Sequence, residues 1–147
     1  MRRFAYLALF LVICFPSPSA AATGCGSRPD SLFAQAETDY TAGNYINVSA
    51  DMQEAASDYY ACAKHAKASG DTAKQASYAY FFGQSLYVAG EAEGKLHHTA
   101  KVKELWSASL SALRPLGASQ YLTPTEQALV AHAVGVMKPV VKILDQN

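Results

Sequence analysis

Between Ala76 and Gly90 the chain reads ASYAYFFGQSLYVAG. On a helix, Ala76, Tyr80, Gly83 and Tyr87 form one stripe, and Ala79, Phe82, Leu86 and Ala89 form another. A helix with a single apolar stripe lies on a surface, whereas one that is apolar on nearly every side is enclosed by other helices. This segment therefore predicts the centre of an all-α helical bundle or short solenoid, and the remaining elements are read around it.

The segment before it has the clearest periodicity. Tyr45, Val48, Met52, Ala55, Tyr59, Cys62 and Ala66 alternate steps of three and four, with Asp51, Glu54, Asp58 and Lys64 off the stripe. That spacing predicts a helix over 45–69 with Met52 buried. A first helix is expected over 31–42, capped by Asp30 or Ser31, with Phe33, Ala36 and Tyr40 on one face and Gly43-Asn44 closing it. Gly70-Asp71 separates the second helix from the central one, expected over 72–89, with Asp71 as its cap. Gly90-Glu91-Ala92-Glu93-Gly94 reads as a turn with two glycines. A fourth helix follows over 95–114, with Val102, Leu105, Trp106, Ser109, Leu110 and Leu113 inward and Pro115 and Gly117 ending it. Thr123-Pro124-Thr125-Glu126 has the form of a capping box. It opens a fifth helix to about Leu144, lined by Leu129, Ala133, Val136, Val140 and Leu144 and kinked at Pro139.

The N-terminus has the layout of a secretory signal peptide over residues 1–22. Arg2 and Arg3 precede an apolar run from Phe4 to Phe15, Pro16 and Pro18 break it, and small residues follow at 19–22. The run is too short to span a bilayer comfortably. Lys138, Lys142 and His132 argue against a second span in the fifth helix. The expected location is the bacterial periplasm or the cell exterior. Of 12 basic residues, 10 remain without Arg2 and Arg3, against 12 acidic ones, a net charge of −2. Their scatter argues against nucleic acid as a partner, because that needs a clustered positive footprint. Residues 23–29 read as a flexible leader, and 30–147 as one domain.

Two of the three cysteines, Cys25 and Cys62, lie outside the signal segment. Three states are open to them. They can form a disulfide, which oxidising compartments favour, or remain free thiols. Cys25 can instead carry a lipid, since Ala22-Thr23-Gly24-Cys25 faintly resembles a lipobox. Cys62-x-x-His65 places a thiol and an imidazole on one helix face, where a metal would need further ligands such as His97 or His98. No cofactor motif is present. Glu54 and Asp58, four apart, would need a partner from elsewhere to do acid–base chemistry, and read as a solvated face.

The first and third helices superpose with a shift of 47 residues: Phe33 on Tyr80, Ala36 on Gly83, Glu37 on Gln84, Tyr40 on Tyr87 and Gly43 on Gly90. Each is followed by a longer second helix. Over residues 31–114 this pattern resembles the tetratricopeptide family. Ala36 and Gly83 match its small crossing residue, Tyr40 and Tyr87 its aromatic four positions later, Gly43 and Gly90 its turn glycine. Ala55 fits its second-helix alanine, and the period exceeds the family's usual span of about 34 residues. The resemblance implies two long repeats with a capping fifth helix, and a scaffold that binds a protein or peptide. It carries the binding face onto Phe33, Glu37, Tyr40, Tyr80, Gln84 and Tyr87, which are either an open groove or part of the core. Two repeats are few for a solenoid, so self-association is a further expectation. The alternative functional reading is a bundle that binds a small ligand or metal near Cys62 and His65, with a small enzyme third.

Overall fold

The computed structural model describes residues 25–146. The signal segment and residues 23 and 24 of the expected leader lie outside the described residues. The described chain is all-α. Five helices follow in order: α1 (Arg28–Ala42), α2 (Tyr45–Ala68), α3 (Thr72–Lys95), α4 (Thr99–Leu113) and α5 (Pro124–Leu144), with a 3-10 turn at Arg114–Leu116. Each helix packs chiefly on its neighbours in sequence, and α2 with α3 and α3 with α4 form the two largest contacts.

The helix starts follow from local chemistry. Asp71 accepts the Lys74 backbone N–H at 3.0 Å and caps α3. Thr123 accepts the Glu126 N–H at 3.2 Å while the Glu126 carboxylate accepts the Thr123 N–H at 2.7 Å, which completes the capping box. Gly43 closes α1 in the left-handed region, φ 78°. The start of α1 differs from expectation. The helix begins at Arg28, inside the predicted leader, with Pro29 buried in its first turn. Asp30 does not cap; its carboxylate accepts the Tyr59 hydroxyl at 3.0 Å.

The centre of the fold is aromatic. Tyr59 of α2 stacks on Phe81 of α3 at 5.1 Å, and Phe33 of α1 lies 6.0 Å from Tyr59 and 6.4 Å from Phe81. Each such pair adds about 0.5–1.5 kcal/mol beyond the burial of its area. The stripe read in α2 is the one that faces inward, with Val48, Met52, Ala55, Tyr59 and Ala66 all buried. In α4 the six residues expected inward are the six that are buried.

The expected turn at 90–94 is helix. α3 runs on to Lys95, and the turn lies two residues further, where His97 takes a left-handed φ of 61°. His97 therefore lies in the turn and His98 at the head of α4, and the two do not share a helix. The reason is steric. A Cβ on Gly90 would sit 2.2 Å from Trp106 Cδ1, and one on Gly83 would sit 2.5 Å from Leu113. These glycines make room for α4 side chains, and neither bends the chain. α4 is then close enough for Trp106 Nε1 to donate to the Tyr87 carbonyl at 3.0 Å and Ser109 to the Gly83 carbonyl at 2.7 Å. So Gly43 ends a helix while Gly90, its counterpart in the repeat alignment, lies inside one.

The stripe of α5 is also shifted. Val130, Ala133, Met137 and Val141 are buried, while Leu129, Val136, Val140 and Leu144 are only partly so. This helix is apolar on both flanks, so its period does not single out the inward one. The helix continues through Pro139.

Candidate functional site

Cys25 and Cys62 form a disulfide with a Cα–Cα distance of 5.7 Å. Beside it, Arg28 pairs with Glu54 and reaches Asp58 at 3.6 Å. The start of α1 is thereby clasped to the middle of α2. The disulfide uses the sulfur that a lipid on Cys25 would need, and it removes Cys62 from the Cys62-x-x-His65 pair, leaving His65 exposed. Arg28 also accounts for the acidic pair Glu54 and Asp58. Among the described residues no three His, Cys, Asp or Glu side chains gather as a metal site would require.

The residues expected on a binding face divide unevenly. Phe33, Tyr40, Tyr80, Gln84 and Tyr87 are buried, so they do not offer an open surface; Glu37 is exposed. α3 turns by about 100° per residue, which puts Gln84 and Glu91 on one side of it and Phe82 and Leu86 on the opposite side. The second side is the open one. There α2 and α4 part to leave a trough of about 340 Å³ floored by Phe82, Leu86 and Leu105 and edged by Tyr60, Gln53 and Glu104. The Tyr60 ring is half-exposed at 52%, rests 5.4 Å from Phe82, and carries the Lys64 ammonium 5.7 Å from its centre. Glu104 also borders a second hollow of about 560 Å³ with Lys101, His98 and Glu93 at the start of α4. An apolar floor thus runs into a polar end.

That polar end is held by a buried carboxylate. Glu93 accepts the Ser49 hydroxyl on one oxygen, and the other lies 2.7 Å from His98 Nδ1. Gln53 in turn donates to Ser49 at 2.9 Å. Burial alone would push the Glu93 carboxyl up, but the hydrogen bonds from Ser49 and His98 outweigh it and hold the group below its usual range. Serine, glutamate and histidine stand in an order that does not activate a nucleophile. The carboxylate separates hydroxyl from imidazole, so His98 cannot take the Ser49 proton. The cluster pins α2 to the α3–α4 turn. Sequence reading missed it because Ser49 and Glu93 are 44 residues apart and no local pattern links them.

Compared with family models, curated proteins and solved structures, the chain has no match among them.

Proposed function

We propose that the protein is an exported helical interaction module, and that the trough between α2 and α4 receives a segment of a protein or peptide partner. The observation that carries this reading is the floor of Phe82, Leu86 and Leu105 beside the half-exposed Tyr60, bordered by charged groups at Glu104 and Lys101. Interfaces combine an apolar centre with a polar rim, and tyrosine gives large contact area for little loss of rotamer freedom. A photo-crosslinking residue at Tyr60, introduced in the organism of origin with the full chain, tests it. A polypeptide adduct at Tyr60 and none at the exposed Glu37 is the expected result; a second copy of this chain in the adduct identifies the partner as itself. Adducts of equal yield at both positions, or at neither, overturn the assignment. Fractionation of the same cells should find the protein outside the cytoplasm, and cytoplasmic recovery would remove the export part of the reading.

A second reading rests on α5. Its 21 residues are long and apolar enough to cross a membrane by length and composition, and 22% of its most apolar stretch is buried. Lys138 and Lys142 would then have to reach the interface by snorkelling. Crosslinking from Val136 to lipid, with none from Tyr60 to polypeptide, would favour this reading.

A further inference from the structure

The trough between α2 and α4 has a chemical direction. α2 runs antiparallel to α3, which sets Ser49 at Glu93 and Tyr60 at Phe82. α4 runs antiparallel to α3 in turn, with Trp106 at Tyr87 and Ser109 at Gly83. The two edges of the trough therefore run the same way. Towards their starts lie Glu104 and Glu93, with His98 exposed beside them. Lys101 pairs with Glu104 at 3.2 Å, which leaves the charge of Glu93 in excess. Towards their ends Lys64 rests on the Tyr60 ring, and Lys67 follows on the same side of α2. Among the described residues neither lysine pairs with a carboxylate. One end is acidic and the other basic, with Phe82, Leu86 and Leu105 between them.

The walls decide what kind of segment fits. Along the apolar floor all three helices have bonded their own backbones. An extended chain laid there would bury unpaired N–H and C=O groups, whereas a helix brings its backbone bonds with it. α2, α3 and α4 are also consecutive antiparallel helices around three sides of the trough, an arrangement that a fourth helix completes. From Gln53 to Lys64 the α2 edge rises about 16 Å, the length of roughly three helical turns.

We propose that the trough receives an amphipathic helix of a partner protein, with acidic residues in its first turn beside Lys64 and Lys67 and basic residues in its last turn beside Glu104 and Glu93. Such a helix runs opposite to α2 and α4, so its dipole opposes theirs. Its own charges lie where a helix favours them, acids first and bases last. Its apolar residues, three and four apart, meet Phe82, Leu86 and Leu105. The proposal rests on the trough being an interface, and adds the kind of segment and its direction.

The test is an NMR titration of the full chain, disulfide formed, with three blocked peptides. The first, Ac-EELAQLLAQLAQKK-amide, has the proposed order of charge. The second, Ac-KKLAQLLAQLAQEE-amide, reverses it, and the third, Ac-EELAQLPAQLPQKK-amide, cannot form the helix. The first should shift the Tyr60, Leu86 and Ala108 amides and bind about threefold or more tighter than the second at low salt. Tyr60→Ala should weaken it severalfold. Lys64→Glu combined with Glu104→Lys, both at exposed positions, should invert the order of the two peptides, which a difference in peptide helicity alone would not do. An order that the double variant leaves unchanged overturns the proposed direction, while the trough reading stands on its crosslink at Tyr60. Equal binding of the third peptide would make the occupant an extended segment, and a dimer of the chain that Tyr60→Ala dissolves would make it a second copy; either overturns the proposal. So does the absence of shifts at the trough with all three peptides.

Discussion

α3 and α5 are of similar length, and both are apolar on more than one side. Their surroundings differ sharply. α3 lies between α2 and α4, and fifteen of its residues are buried. α5 packs mainly on α4 and touches α3 at few places, and four of its residues are buried. Hydropathy alone does not explain this. Position in the stack does: α3 has a described helix on each flank, whereas among the described residues α5 packs mainly on α4. α3 also has glycines where its neighbour comes closest, whereas a Cβ on Gly135 of α5 would meet nothing within 4 Å.

The contrast breaks hardest under a charge. Met52, on the face of α2 turned inward, is fully buried, and Met52→Asp should destabilise by about 4 kcal/mol or more, because it leaves an unpaired charge in the core. Ala131→Asp, on the exposed side of α5, should shift stability by less than about 1 kcal/mol. Chemical denaturation of the two variants checks this, and equal losses would mean that α5 is as enclosed as α2.

The covalent clasp sharpens the comparison at the other end of the molecule. The Cys25–Cys62 disulfide joins positions 37 residues apart, so its reduction should lower stability by about 2–4 kcal/mol through the freedom returned to the unfolded chain. Differential scanning calorimetry with and without reductant reads it. Hydrogen exchange should quicken first in α1, and a first loss in α5 would contradict the clasp.

The two glutamates of α3 predict opposite responses to acid. The folded value of Glu91 is raised from 4.5 to about 7. Its stabilising contribution is therefore complete below about pH 4.5 and is lost as pH rises towards 7, by at most about 3 kcal/mol. The folded value of Glu93 is lowered, so its contribution is present above the ordinary glutamate range and lost as pH falls through the depressed value. Glu91→Gln should flatten the decline between pH 4.5 and 7 and leave the acid limb unchanged. A decline of the same slope in that variant would show that Glu91 is not its cause.

Smaller effects come from the glycines. Gly90→Ala should cost about 1–3 kcal/mol, because the rigid Trp106 indole cannot yield as the flexible Leu113 beside Gly83 can. Gly135→Ala should stabilise by about 0.5–1 kcal/mol, the ordinary helix preference of alanine where space is free. Melting temperatures that move in the same direction would show that the two helices are packed alike.

These cases also show what could be read in advance. α2 was legible to within a residue because its polar positions fall between its apolar ones; Tyr45 through Ala66 could be placed without knowing any neighbour. Thr123 and Glu126 were legible because a capping box is local. Gly90 and Gly94 were not. A glycine that accommodates an indole and one that bends a chain look the same in sequence, and only Trp106, sixteen residues on, distinguishes them. The α5 register failed for want of polar markers on either flank. The tyrosine face could be named but not assigned to surface or core. The trough was invisible because it depends on how far α2 and α4 part, and the Ser49–Glu93–His98 cluster because its members meet across the fold.

The indole in the niche beside Gly90 also gives the molecule an optical signal. Trp106 is the chain's single tryptophan. It is buried, donates its N–H to the Tyr87 carbonyl and lies 6.0 Å from the Tyr87 ring, nearly parallel to it. The hydroxyl of that same ring holds Glu91. Emission from one fluorophore should therefore report the separation of α3 and α4, and energy passed from Tyr87 to Trp106 should change when Glu91 ionises. Folding and proton uptake on that side of the helix can be followed in solution without attaching any label.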